Sequence, residues 1–375
     1  MSTNAITKPH DATGARAPGK LILSGEHSVV YGAPAVVVAI ERYIELWFTP
    51  LHKTGGLQTA FETFAPRSFY PFDILKGFKD SLDRRFDEFM RGDLPVQKIL
   101  KRPDDLAIYT LTSLLPMLPA PGGTGGQPLP IPGQLTSRSE MPLGAGMGSS
   151  AAVVAATIVL YEHLLGLPQS AEDRFKKVRF CERLQHGKGS AIDASAVVFG
   201  GANRVQGEDI RPISLADDHS LKTSDGWYWV IHGRPEASTG ECVAQVRSRH
   251  GQDTQLWQAF GDCTAKLETV LEANGDPREV IRENQSLLEQ IGVVPVASAR
   301  FAKAVEKTGG AAKISGAGSV KGEHGGAMLV YQPDAEAMTE LMKAYPDREW
   351  DRLTIAQKGA ELMPASTQKS SMAAQ

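Results

Sequence analysis

This chain of 375 residues has few cysteines and no excess of positive charge. The three cysteines, Cys181, Cys242 and Cys263, lack the spacing of a zinc site, and their odd number does not suggest a disulfide framework. A reducing cytoplasm is therefore the expected location. Forty lysines and arginines against 43 acidic residues give a formal net charge of −3. This balance supplies no basic field for a nucleic-acid backbone, so nucleic-acid binding is not expected.

Long apolar runs are also lacking. The longest, residues 151–165, is interrupted by Tyr161, Glu162 and His163 and is too short and polar to span a bilayer. The first residues are polar and contain no apolar segment that could act as a signal peptide. We therefore expect neither export nor a membrane association, and we expect residues 1–14 and 361–375 to be disordered.

The rest of the chain has the composition of a globular protein, with 42% hydrophobic residues and enough length for two lobes. Runs of β-branched residues cut by glycine predict strands at 20–24, 28–32 and 34–49, and later strands at 136–141, 226–233 and 326–331. Apolar spacing predicts helices over 72–91, 104–117, 171–185, 253–273, 277–291 and 333–344, and another from Ser149. Residues 118–135 are rich in proline and glycine and predict a loop. The pattern favours an α+β fold.

The segment PLGAGMGSSAAVVAA, residues 142–156, is the strongest functional signal. Its glycines leave backbone N–H groups unshielded, and the following helix directs its positive end to the same place. A polyphosphate is the ligand that this arrangement favours, although an ordinary strand-to-helix turn capped by Ser149 is an open alternative. The candidate binding residues are Gly144, Ala145, Gly146, Gly148, Ser149 and Ser150.

Two further segments carry the same kind of signal. Residues 17–40, APGKLILSGEHSVVYGAPAVVVAI, place Lys20, Glu26 and His27 between glycines and beside predicted strands. A lysine at such a position either reaches solvent or binds an anion. Residues 313–320, KISGAGSV, form a second glycine-rich turn after a strand, which by itself would predict no more than a hairpin.

In this order and at these distances, the three segments resemble the three signature motifs of the GHMP kinases, from about Ala17 to the mid-350s. The segment ERLQHGKGSAID, residues 182–193, is similar to the mevalonate kinase branch of that family. The resemblance implies a two-lobed α+β fold, with a ribosomal-protein-like N-terminal lobe over 15–205 and a ferredoxin-like C-terminal lobe over 206–360. It also implies ATP-dependent phosphorylation of the 5-hydroxyl of mevalonate, in isoprenoid biosynthesis.

The resemblance also assigns roles to single residues. ATP would bind at the 144–150 turn, with Ser150 and Glu182 as ligands of Mg²⁺, an ion that prefers oxygen. Asp193 would be the general base for the acceptor hydroxyl, and Lys20 would hold that carboxylate ionised. The acceptor pocket would comprise these two residues with Glu26, His27, Ser190, Gly316 and Ala317, and Lys188 is a candidate for binding the acceptor carboxylate. A homodimer is a possible assembly.

One departure from the family concerns the third motif. Its glycine run is lengthened to GAGSVKGEHGGAML, by Ser319, Val320, Lys321, Glu323 and His324. This change leaves the acceptor open, so that phosphomevalonate, a sugar or a related acid is an alternative. A non-catalytic ligand sensor of the same fold is a second alternative, against which the presence of Lys20, Ser150, Glu182 and Asp193 argues.

Overall fold

The computed structural model describes residues 12–51, 54–61, 67–115, 132–142 and 144–364. The strands of this part are β1 (Thr13–Ser24), β2 (Ala35–Pro50), β3 (Gly56–Phe61), β4 (Ser68–Pro71), β5 (Gly133–Ser139), β6 (Ala202–Gln206), β7 (Asp209–Pro212), β8 (Trp227–Ile231), β9 (Ala311–Ile314), β10 (Ala327–Tyr331), β11 (Trp350–Arg352) and β12 (Glu361–Leu362). The helices are α1 (Phe72–Met90), α2 (Asp105–Leu114), α3 (Ser149–Leu165), α4 (Ala171–His186), α5 (Ala191–Phe199), α6 (Ser220–Thr223), α7 (Thr239–His250), α8 (Thr254–Glu272), α9 (Arg278–Gln290), α10 (Val296–Lys307) and α11 (Ala335–Lys343).

The strands form two separate sheets. The larger has the order β12-β1-β2-β5-β3-β4, and the β6–β7 pair branches from β2. The smaller has the order β11-β8-β10-β9 and is antiparallel throughout. Helices α3 and α5 pack on β1 and β2 of the larger sheet, whereas α9 and α10 pack on β9 of the smaller one, and α8 contacts β1 and β2. The predicted α+β class is confirmed.

Helix α3 is buried because its sequence is apolar on almost every side. It packs against β1 and β2 on one side and against α2, α4 and α5 on the others. This packing therefore fixes the position of its N-terminus at Ser149. Across the described ranges, no helix combines the length and apolarity needed to cross a membrane.

The predicted start and end of α4 are confirmed. The hydroxyl of Ser170 accepts a hydrogen bond from the N–H of Asp173 at 3.1 Å, which satisfies a free amide of the first turn. At the other end Gly187 has a φ of 77°, a conformation that glycine adopts without steric cost. Local chemistry alone thus fixes the length of α4.

Two predicted strands differ from the structure. Residues 28–32 form no strand but a single 3-10 turn, Ser28–Tyr31, because Gly25 and Gly32 take positive φ values on either side and reverse the chain. The strand predicted at 136–141 begins earlier, at Gly133, within the predicted loop 118–135. Its first residues pair with both β2 and β3. This pairing on two sides overrides the weak strand preference of the residues themselves. Residues 118–131 of that loop, and the last two residues of the helix predicted over 104–117, lie outside the described residues.

The ends of the described chain are more ordered than predicted. Thr13 and Gly14 belong to β1, and Glu361–Leu362 pairs with the same strand. The guanidinium of Arg16 lies 2.6 Å from the carboxylate of Glu361 and holds the two ends together. Strand β7 also extends the larger sheet beyond the predicted limit at residue 205. The domain limits themselves remain a prediction.

A buried ion pair joins the two sheets. Lys313 on β9 is fully buried, and its ammonium contacts the carboxylate of Glu26, which follows β1. The same ammonium lies 2.6 Å from the carbonyl oxygen of Ile314 and 3.4 Å from that of Ile22. A buried charge of this kind requires such partners, so the pair fixes how β9 sits on β1.

Substitution Lys313→Met should lower the free energy of unfolding by about 3–5 kcal/mol, because it leaves the Glu26 carboxylate buried without its cation. Urea denaturation followed by tryptophan fluorescence would measure the change. The matched control is Lys343→Met, which removes an exposed ion pair with Glu340 and should cost less than about 1 kcal/mol. Equal effects of the two substitutions would contradict the anchoring role.

Candidate active site

The glycine-rich turn before α3 is open to solvent on one side. Gly144, Gly146 and Gly148 have φ values of 72°, 83° and 77°, so the chain follows a left-handed path that other residues rarely adopt. Gly148 is the N-cap of α3 and supplies no side chain to cap it. The first amides of a long helix therefore point into the open, where they favour an anion.

Lys20 and Asp193 meet at this turn. The ammonium of Lys20 lies 3.2 Å from Oδ1 of Asp193. A Cβ atom placed on Gly148 would lie 2.8 Å from Cγ of Lys20 and 3.6 Å from Oδ1 of Asp193. The backbone N–H of Lys20 also donates to the carbonyl oxygen of Met147 at 2.9 Å. The absence of a side chain at Gly148 thus allows the ion pair to lie against the turn.

The position of Asp193 follows from the start of α5. Ser190 is the N-cap of this helix, and its hydroxyl accepts a hydrogen bond from the N–H of Asp193 at 3.2 Å. Burial acts to raise the pKa of the Asp193 carboxyl, but the charge of Lys20, followed by the hydrogen bond to Ser190, outweighs it. The net pKa lies below its usual value, so the carboxylate is ionised at neutral pH.

Glu182 and Ser150 form the second polar group of the site. The hydroxyl of Ser150, in the first turn of α3, donates to Oε2 of Glu182 at 3.1 Å. The other oxygen, Oε1, is buried and has no hydrogen-bond partner among the described residues. Burial, and next the negative charge of Asp193, raise the pKa of Glu182 to about 8. A cation beside Oε1 would offset the free-energy cost of burying the ionised carboxylate.

These oxygens fit Mg²⁺ but cannot enclose it alone. Within the described ranges, no group of three or more His, Cys, Asp or Glu side chains could hold a metal ion. Mg²⁺ is commonly bound by one or two carboxylates together with substrate phosphates. One hydroxyl and one carboxylate beside an open helix N-terminus are therefore a suitable donor set for an ion that arrives with a nucleotide.

The glycine-rich segment that begins at Lys313 packs against both of the others, residues 17–40 and the turn at 144–150. The hydroxyl of Ser315 accepts a hydrogen bond from the N–H of Ile22 at 2.8 Å, and the N–H of Ala327 donates to the carbonyl oxygen of Ala145 at 3.0 Å. A Cβ atom on Gly316 would lie 4.0 Å from the carbonyl oxygen of Gly146. The predicted segments around residues 20, 146, 182–193 and 316 therefore surround one place.

Comparison with known proteins finds relatives of the kind that the three motifs resemble. The model of the GHMP kinases N terminal domain matches residues 123–201. A mevalonate kinase of Pyrococcus horikoshii is 28% identical over 335 residues, which cover 85% of this chain and 88% of the relative. A phosphomevalonate kinase of a Streptomyces species is 28% identical over 367 residues, with 87% and 91% covered. The mevalonate kinase structure of Methanococcus jannaschii has a TM-score of 0.73 and 18% identity, and covers 93% of this chain and 100% of that one.

These matches confirm the GHMP kinase resemblance. The chain has the two-lobed GHMP kinase fold, and the comparisons support a kinase similar to the mevalonate kinases. The acceptor does not follow from identities of this size, since relatives with two different acceptors in their names are both 28% identical to this chain. The kinase family also implies the use of ATP, typically with Mg²⁺.

Three further residues that were predicted to line the acceptor pocket differ in their exposure and contacts. His27 is buried and has a φ of 58°, and its Nε2 lies 3.0 Å from the carbonyl oxygen of Ala317, which links the first and third segments. Burial lowers the pKa of His27, which favours the neutral ring. The carboxylate of Glu26 contacts Lys313 inside the protein and is not directed to the open turn. Lys188 is exposed.

One residue of the site was not predicted. Nε2 of His186 lies 3.4 Å from the hydroxyl of Ser150 and 3.6 Å from the carboxylate of Glu182. The sequence did contain a signal, because residues four positions apart share a helix face and His186 follows Glu182 by four.

A cavity of about 270 Å³ lies beside His186 and is bounded on the other side by 238–240. A larger cavity, of about 850 Å³, lies between α4 and the β6–β7 hairpin and includes none of the site residues.

Substitution Gly148→Ala should lower the turnover number of the kinase at least about tenfold, because the new methyl group displaces Lys20 from Asp193. ADP release in a coupled assay would measure it. Gly166→Ala is the matched control at the other end of α3, since Gly166 also has a positive φ, of 63°, but faces open space. Both should destabilise the fold by about 1–2 kcal/mol through backbone strain, and only Gly148→Ala should affect turnover.

Proposed function

We propose that this kinase transfers the γ-phosphoryl group of ATP to the 5-hydroxyl of mevalonate and releases 5-phosphomevalonate and ADP, as a step of isoprenoid biosynthesis. The observation that carries the proposal is the ion pair of Lys20 and Asp193, 3.2 Å apart and seated on Gly148 of the glycine-rich turn. In the proposed reaction this pair would supply a base and a cation beside the polyphosphate. The mevalonate kinase relatives support the choice of acceptor.

Phosphoryl transfer requires chiefly positioning and charge neutralisation. The turn 144–150 would hold the triphosphate through backbone amides and the positive end of α3. Ser150 and Glu182 would hold Mg²⁺, which neutralises charge on the phosphate oxygens when bound. Its binding would use the buried Oε1 of Glu182 that otherwise has no partner.

Asp193 would accept the proton of the acceptor hydroxyl. The acceptor oxygen then forms a bond to the γ-phosphorus, the bond from that phosphorus to the β-phosphate oxygen breaks, and ADP leaves. The Asp193 side chain is 22% exposed and that of Lys20 only 5%, so the carboxylate is the member of the pair that a substrate can reach. Lys20 would keep the carboxylate ionised and stabilise negative charge on the attacking oxygen.

Phosphomevalonate is the second candidate acceptor. It is favoured by the phosphomevalonate kinase relative, which matches this chain over 367 residues, and by the lengthened third segment. A coupled ADP-release assay with mevalonate, phosphomevalonate, galactose and homoserine, each with Mg²⁺ and ATP, would decide between them. The proposal requires the highest kcat/KM with mevalonate, and a preference for any other acceptor in the panel would refute it.

Substitution Asp193→Asn should reduce kcat by about 10²–10⁴-fold, because the amide cannot accept the hydroxyl proton. Affinity for an ATP analogue, measured by calorimetry, should change little. Asp347→Asn, at an exposed position, is the matched control and should retain full activity. Turnover of Asp193→Asn at the rate of the control would show that the carboxylate is not the base.

Substitution Lys20→Met should move the acid limb of the kcat/KM profile to higher pH. Lys20 is the chief influence that lowers the pKa of Asp193 against its burial, so its removal lets burial raise that pKa and activity is lost sooner as the pH falls. Profiles between roughly pH 4 and pH 9 would test this. Lys307→Met, an exposed substitution on α10, should leave the limb in place. An unshifted limb in Lys20→Met would exclude the proposed coupling.

A further inference from the structure

Arg234 lies against the glycine-rich turn from the opposite lobe. It follows β8, and its side chain is exposed. A Cβ atom on Gly144 would lie 3.4 Å from Nε of Arg234 and 3.9 Å from its Nη2. The guanidinium therefore lies beside the first glycine of the turn, at the end opposite to Gly148.

No carboxylate of the described chain lies within ion-pair distance of Arg234. By contrast, the guanidinium of Arg174 is 2.6 Å from the carboxylate of Glu162. A guanidinium beside open backbone amides places two positive features together. An anionic ligand is the group that such a pair attracts, and a guanidinium can bind two oxygens of one carboxylate or phosphate.

The segment that carries Arg234 is held in place on both sides. Before it, the N–H of His232 donates to the carbonyl oxygen of Gly326 at 3.0 Å. After it, the N–H of Ala237 donates to the hydroxyl of Ser319 at 3.2 Å. A Cβ atom on Gly326 would lie 3.1 Å from Cγ of Pro235. The backbone around Arg234 is thus fixed by the third glycine-rich segment.

The lengthened part of that segment supplies further support. The ammonium of Lys321 lies 2.8 Å from Oε1 of Glu241, and Oε2 of the same carboxylate accepts a hydrogen bond from the N–H of Ser238 at 2.8 Å. The hydroxyl of Ser319 also donates to the carbonyl oxygen of Lys321 at 2.6 Å. The extra residues therefore brace the chain from Arg234 to the start of α7, which borders the cavity beside His186.

From these contacts we infer that Arg234 is an anion-binding residue of the active site and receives a carboxylate or phosphate group of a substrate. The inference rests on the proposed function for the identity of that substrate. Lys20 is buried and paired with Asp193, so its charge acts at the reacting hydroxyl and not on a separate anionic group of the substrate. Arg234 would supply the positive charge that neutralises this anionic group. It does so from the C-terminal lobe, whereas the proposed base and metal ligands belong to the N-terminal lobe.

The test compares the full-length protein with Arg234→Met, Arg234→Lys and the control Arg300→Met, an exposed arginine on α10. Calorimetry with a non-hydrolysable ATP analogue, mevalonate and phosphomevalonate as separate probes measures binding without turnover, and steady-state kinetics give the KM values. Arg234→Met should weaken binding of one probe about 10- to 100-fold. Arg234→Lys should fall between, because a single ammonium cannot replace the fork of the guanidinium.

The pattern of losses identifies the source of the anion. A higher Kd and KM for the acceptor, with unchanged nucleotide binding, assigns Arg234 to the acceptor's carboxylate or phosphate. The reverse pattern assigns it to the nucleotide phosphates. Unchanged binding of all three probes, or an equal loss in Arg300→Met, overturns the inference. If the wild-type protein turns over none of the acceptors, the proposed function fails, while the nucleotide arm still tests Arg234.

Discussion

The site depends on one ion pair that only a glycine allows. Lys20 is almost completely buried, so its ammonium needs a counter-charge, and Asp193 supplies it across the turn at Gly148. These three positions lie on β1, at the N-terminus of α3 and at the N-terminus of α5. The pair therefore ties the strand and the two helix starts to one point, and the electrostatic properties of the site follow from it.

A second set of contacts binds the C-terminal lobe to this point. The ammonium of Lys313 pairs with Glu26, and the ring of His27 with the carbonyl oxygen of Ala317. Both connect the first segment to the third over almost 300 positions of sequence. A buried pair of charges adds little net stability compared with apolar packing, but it tolerates few alternative arrangements. Here it fixes the position of the two lobes relative to each other beside the glycine-rich turn 144–150.

The sequence predicts those parts of the structure that short-range chemistry determines. The cap at Ser170 and the helix from Ser149 follow from neighbouring residues, and the family motifs bring Lys20, Glu182 and Asp193 to one site. The sequence does not reveal features set by distant partners. The expectation for Glu26 overlooked Lys313, and the early start of β5 depends on pairing with β2 and β3 on both sides. His186 was missed although its spacing from Glu182 indicated a shared face.

The two lobes contribute differently to specificity. The proposed base, its partner cation and the proposed metal ligands all lie in the N-terminal lobe, and their chemistry would serve any primary hydroxyl presented to Asp193. Choice of acceptor must therefore depend on groups that bind the rest of the molecule. Arg234 lies on the facing wall and is braced by residues that lengthen the third segment. Relatives named for two different acceptors are both 28% identical to this chain, so we expect that wall, rather than the pair of Lys20 and Asp193, to distinguish the acceptors.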